Sequence, residues 1–174
     1  MKKHLAQIER IRSSRILPVT TGDGLRLPST EVLPTKVHGL YWIYTSYSIE
    51  QIENCTPSQQ DNAVDISALA KQHKGLSLVH NINHCGFNLV YNGIGGSSSG
   101  LRERIQGEFN GGEGTGSLGI LKSSLNNLDN WRISYVILKN DKITPDLDLE
   151  FKEYAAILER AWRLEYGWPI LCRA

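Results

Sequence analysis

A chain of 174 residues, 40% hydrophobic and 21% charged, is long enough to bury one core without covalent staples and too short for a second full domain. No segment approaches the roughly 20 apolar residues of a membrane span, and three scattered cysteines, Cys55, Cys85 and Cys172, exclude a disulfide framework or a structural zinc site. A formal net charge of +1 excludes a chain that is basic throughout, so charge carries information only through its distribution.

The N-terminal segment is locally basic, with Lys2, Lys3, Arg10, Arg12 and Arg15 against Glu9 alone. Leu5, Ile8 and Ile11 predict a short helix there, and a Pro/Gly/Thr-rich stretch from Leu17 to Pro34 predicts an irregular arm, giving an N-terminal helix and arm over residues 1–36. No apolar stretch of the kind found in a secretory leader follows Met1, which predicts a cytoplasmic protein. Val37 to Tyr44, rich in Val, Tyr, Trp and Ile, reads as the first strong strand. Residues 45–74 are more polar, hold a predicted helix around Asp61 to His73, and read as an insertion.

Two β-prone runs follow, Leu76 to Ile82 and Phe87 to Tyr91, with Asn83-His84-Cys85-Gly86 as a turn between them. After the Gly/Ser-rich segment Gly93 to Gly100, apolar residues at Leu101, Ile105 and Phe109 predict a helix, which Gly111, Gly112, Gly114 and Gly116 end. A second helix is expected over Leu118 to Leu128, a strand over Trp131 to Leu138, and a long helix over Leu147 to Tyr166 before Gly167 and Pro169. This order of elements predicts an α+β or mixed α/β domain. The C-terminal segment from Asp146 onwards carries more carboxylates than bases, so a basic arm and an acidic end together suit a phosphate ligand and a cation.

The glycine-rich segment does not read as a nucleotide cradle. A dinucleotide fingerprint needs a third glycine where Ser98 stands, and a P-loop needs Gly-Lys-Ser/Thr where the chain has Gly100-Leu101-Arg102. The residues around it form a different pattern. Gly39-Leu40-Tyr41 lies on the first strand and Tyr91-Asn92-Gly93 closes a later one. Leu101-Arg102-Glu103-Arg104-Ile105 opens a helix, and Leu158-Glu159 precedes Tyr166-Gly167-Trp168-Pro169-Ile170-Leu171. In this order, over Val37 to Arg173, the chain resembles the GIY-YIG nucleases, in a form similar to their restriction-endonuclease branch.

The resemblance implies a small, mainly antiparallel central sheet flanked by helices, with the nuclease domain over residues 37–174 and the insertion at about 45–74. It implies phosphodiester hydrolysis in double-stranded DNA with a divalent ion, Mg²⁺ or Mn²⁺. Glu159 would hold the metal, Arg104 would bind the phosphate, Tyr41 would act as general base and Tyr91 as its hydrogen-bonding partner. Helical geometry independently sets Arg104 one turn from Leu101 and Glu108 at the border of an apolar row, and Glu159 at the margin of a Tyr154-Leu158-Trp162 face, with Glu153, Arg160 and Arg163 towards the polar side.

This chain departs from the family pattern at several points. Tyr41 and Tyr91 lie much further apart than a short hairpin allows, Glu108 replaces a His or Tyr, and Cys172 stands near a closing Asn. A phenol with a pKa near 10 is a weak base at neutral pH, so Tyr41 needs a helper. Glu108, His80, His84 and Cys172 are the auxiliary candidates, and Lys2, Lys3, Arg10, Arg12, Arg15 and Arg102 the candidate DNA contacts. The module leaves no room for a separate DNA-reading domain, which points to a type II restriction enzyme that reads its target with the arm and the insertion. One active site cuts one strand, so a homodimer or a sequentially nicking monomer is expected. Two alternatives stand beside this reading: a PD-(D/E)xK-type nuclease using Asp146, Glu150 and Lys152, and a non-catalytic DNA-binding domain.

Overall fold

The computed structural model describes residues 1–22, 24–26, 33–95, 100–111, 116–145 and 149–173. Gly96 to Ser99 and Gly112 and Gly114 of the glycine-rich segments, and Asp146, Leu147 and Asp148 ahead of the last helix, lie outside the described residues. The fold is α+β. A five-stranded, wholly antiparallel sheet has the order β1-β7-β4-β6-β5, from β1 (Leu17–Pro18), β4 (Gly39–Thr45), β5 (Asn83–His84), β6 (Phe87–Gly95) and β7 (Trp131–Ile137). A separate hairpin joins β2 (Thr20–Gly22) to β3 (Gly24–Arg26).

β4 is the middle strand, and all seven of its residues are buried. Its sequence is almost continuously apolar because helices cover both faces of the sheet, leaving no side for a polar alternation. Tyr41 and Ile43 share a core with Leu101, Ile105 and Phe109 of α4 (Gly100–Asn110). Leu40, Trp42 and Tyr44 pack instead with Leu5 and Ile8 of α1 (Lys2–Ser14) and with Tyr154, Leu158 and Trp162 of α5 (Phe151–Tyr166). Among the described residues no helix is long and apolar enough to cross a membrane.

The insertion contributes to the core. It folds as α2 (Ile49–Glu53) and α3 (Ile66–His73), started by a Ser48/Gln51 capping box and by the Asp65 carboxylate accepting from the Ala68 amide. Ile52, Val64, Ile66 and Ala70 are buried on the Tyr41 side. β6 is longer than expected: it runs through Tyr91-Asn92-Gly93 to Gly95, so the motif lies within the strand. A Cβ on Gly95 would overlap the backbone of Leu101, and this close approach lets β6 deliver the chain into α4.

Two expected elements are absent. Leu76 to Ile82 forms turns and is largely exposed, because the C-terminal tail occupies the β6 edge that a strand there would need: Leu171 N–H donates to Val90 O and Asn92 N–H to Cys172 Sγ. Val79 makes only an isolated bridge with Trp168. Leu118 to Leu128 forms no α-helix. Gly119 is left-handed, and Ser123 and Asn127 accept from the Leu125 and Asp129 amides, which divides the region into 3-10 turns at Ile120–Lys122 and Leu128–Asn130. The last helix starts at Phe151.

Candidate active site

Register brings the two tyrosine motifs together. Tyr41 on β4 faces Gly93 on β6, and Ile43 faces Tyr91. A bulge at the next step pairs Tyr44 with Leu89. Cross-strand partners share a face, so both phenols point towards α4, their ring centroids 6.1 Å apart and tilted by 42°. On α4, Arg104 and Glu108 are one turn apart on the side that meets them.

Glu108 is the hub. It has no exposed surface, and its Oε1 accepts from Tyr41 Oη at 2.8 Å and Tyr91 Oη at 3.3 Å, with Arg104 Nη2 at 3.4 Å. Its Oε2 accepts from the Leu118 amide at 2.9 Å. Burial raises the Glu108 carboxyl, opposed by the Arg104 charge and the donated hydrogen bonds. Burial followed by the Glu108 charge pushes Tyr41 well above its ordinary value, and the same two causes raise Tyr91. Burial acts to lower Arg104, but Tyr41, Glu108 and Tyr91 together hold it protonated. With both carboxylate oxygens engaged inside the protein, Glu108 is in no position to bind a metal.

Glu159 belongs to the other helical layer. Asn92 pairs with Trp42 and so faces α5, where Arg163 Nε donates to Asn92 Oδ1 at 2.8 Å and Arg163 Nη2 donates to Glu159 Oε1 at 2.9 Å. The sequence reading put Arg163 on the polar side. It is four residues past Glu159, however, and its side chain is only 12% exposed, held over the Trp168 ring. Cys172 contacts Asn92 through Sγ, and among the described residues the Nδ2 of this fully buried Asn92 has no partner. Burial raises the Glu159 carboxyl, whereas Arg163, Arg160 and Arg104 lower it. Arg104 therefore links the two halves, acting on Glu108 directly and on Glu159 through space.

The remaining candidates fall elsewhere. His80 packs against the Gly167–Trp168 turn, and His84 lies on edge strand β5. Burial pushes the Cys172 thiol up to about 12, so it is a packing group at neutral pH. Lys2, Lys3 and Arg10 are exposed and Arg102 partly so. Arg12 is different: its guanidinium is buried, pairs with Glu9, donates to Tyr44 Oη and lies over the Trp162 ring. Arg15 is engaged by Asp141 and the Tyr135 carbonyl. Both serve to dock α1, so the basic arm presents fewer free cations than its sequence suggests. Glu150 and Lys152 are exposed at the start of α5, and Asp146 lies outside the described residues.

Among the described residues no group of three or more His, Cys, Asp and Glu could hold a metal. Glu159, 16% exposed in its side chain, offers Oε2 alongside the Oε1 held by Arg163. One carboxylate does not make a closed zinc site, and Mg²⁺ there would need waters or a substrate phosphate to complete its shell. The chain matches no protein-family model, no curated protein and no solved structure. Asn92 and Arg163 were missed at the sequence level, although the four-residue spacing of Glu159 and Arg163 was a signal for the latter.

Proposed function

We propose that the protein is a GIY-YIG-like, Mg²⁺-dependent endonuclease that hydrolyses phosphodiester bonds in double-stranded DNA, working as a type II restriction enzyme. The observation that carries this reading is the convergence of Tyr41, Tyr91 and Arg104 on Glu108, with the Arg104 charge also acting on Glu159. Arg104, 33% exposed in its side chain, can hold a phosphate oxygen while its inner edge stays on Glu108. A tyrosine hydroxyl would take the proton of the attacking water, and Glu159 would hold the cation, with Arg163 limiting the negative charge there. A divalent ion supplies charge neutralisation at the phosphate and the leaving oxygen. Lys2, Lys3 and Arg10 would contact the DNA backbone, and a homodimer would cut both strands.

The test is cleavage of phage genomic DNA in Mg²⁺ or EDTA by the wild type, Arg104→Ala and Glu159→Ala. Discrete fragments in Mg²⁺ that disappear in EDTA and in both variants are expected. Binding without cleavage under any divalent metal would leave a non-catalytic DNA-binding domain in its place.

A further inference from the structure

Tyr41 and Tyr91 share one acceptor atom but differ in their access to water. Tyr41 has no exposed surface: its ring covers Gly93, and its hydroxyl is held inside the protein by Glu108 at 2.8 Å, by Arg104 and by Tyr91. Tyr91 is partly exposed and makes the longer contact of 3.3 Å to the same oxygen, and Arg104, one-third exposed, interacts with both phenols. A water bound near a phosphate on Arg104 would meet Tyr91, the partly exposed phenol, before the fully buried Tyr41.

We propose that Glu108 is the proton acceptor of this site, reached from solvent through the hydroxyl of Tyr91, with Tyr41 as the fixed donor that holds Glu108 in place. The inference rests on the nuclease reading and names the helper that a tyrosine base requires. It also moves the solvent-facing role from Tyr41 to Tyr91. In the reaction, an O–H bond of the attacking water breaks as its oxygen bonds to phosphorus. That proton goes to Tyr91 Oη while the Tyr91 hydroxyl proton passes to Glu108 Oε1, so the phenol is neutral before and after. The bridging P–O bond breaks with its electron pair on the leaving oxygen, which takes a proton from solvent water. Glu108 returns its proton to the resulting hydroxide through Tyr91.

The surroundings of Glu108 are consistent with this task. It faces Arg104 on its own helix, Tyr41 from β4, Tyr91 from β6, the Leu118 amide from the segment after α4, and Cys172 from the C-terminal tail. Among the described residues Arg104 is the cation that acts on it, and burial outweighs that charge, so Glu108 is a stronger base than an ordinary carboxylate. A buried phenol beside a carboxylate resists full ionisation, and a coupled transfer avoids forming a free phenolate.

The experiment measures single-turnover cleavage of phage DNA against pH for the wild type, Glu108→Gln, Tyr91→Phe and Tyr41→Phe, with folding checked by circular dichroism. A wild-type rate that falls towards acid pH is expected, with a loss of about 100-fold or more in Glu108→Gln and Tyr91→Phe. Their residual rates should lack the acid limb, and Tyr41→Phe should keep it within about tenfold of wild type. Formate added to Glu108→Ala should restore part of the rate, which a structural role would not permit. An active Glu108→Gln with an unchanged limb overturns the inference and leaves the nuclease standing. Loss of the limb in Tyr41→Phe with its retention in Tyr91→Phe returns the base to Tyr41. If the Glu108 variants do not fold, the two Phe variants decide, since both keep the carboxylate. A wild type that cuts nothing removes both readings.

Discussion

The ring of Tyr41 lies so close over Gly93 that a Cβ there would stand 2.5 Å from its phenolic oxygen. Gly93→Ala is therefore expected to push the phenol off Glu108, lowering stability by about 1 to 3 kcal/mol, as overpacked cores do. Chemical denaturation checks the stability, and a fall in cleavage rate no larger than the roughly tenfold expected of Tyr41→Phe checks the position. A variant as stable and active as wild type would show that the ring can move aside freely.

Arg12 and Glu9 set a pH dependence of one sign. Burial alone would raise the Glu9 carboxyl, but the hydrogen bond and charge of Arg12, with the Trp162 indole, outweigh it and hold Glu9 below its ordinary value. Glu9 thus contributes stability that is present above its unfolded pKa and lost as pH falls through its lower folded value. Arg12→Ala should cost about 3 kcal/mol at neutral pH, as breaking a buried pair does, and this deficit should shrink at acid pH in urea titrations.

Glu108 has the opposite sign. Its folded pKa is raised, so its favourable contribution is complete below the unfolded value and is lost as pH climbs through the folded one. Glu108→Gln does not ionise, and its stability relative to wild type should improve from about pH 4 to about pH 7. Thermal melts at these two pH values measure the change, and a constant difference would mean that burial is not what governs this carboxyl.

Arg163→Ala removes a side chain that binds Glu159 and Asn92 at once. A loss of about 2 to 4 kcal/mol is expected, read by denaturant midpoint, because the buried Asn92 and the half-buried Glu159 lose their donor. Arg163→Lys should recover little of it, since one ammonium does not reproduce the fork.

Lys2, Lys3 and Arg10 are exposed whereas Arg12 is not. Replacing those three with Ala should flatten the salt dependence of DNA affinity, by about one unit of slope for each phosphate that is no longer neutralised. Binding measured at several salt concentrations tests this, and an unchanged slope would take α1 out of the DNA interface.

The sequence disclosed what depends on local pattern. The strand through Tyr41, the helix with Leu101, Ile105 and Phe109, and the Leu158-Trp162 face are where periodicity placed them, because packing continues the same repeat. What it concealed depends on distant partners. Leu76 to Ile82 has the composition of a strand, but the tail around Leu171 already pairs with the edge it would use. Arg12 has the charge of a DNA contact, but its position beside Ile8 turns it towards Tyr44 and Trp162. Glu108 was visible as a departure in the motif helix. That two phenols meet on it follows from the β4–β6 register, which no single segment encodes.

β4 is hydrogen-bonded on both sides and covered on both faces, so its amides have no route to solvent through local fraying. Their deuterium uptake should report the global unfolding equilibrium. Tyr41 would then keep its position through every fluctuation short of unfolding, and any adjustment that the proposed reaction on a duplex requires would come from the outer members, Tyr91, Arg104 and the tail carrying Cys172.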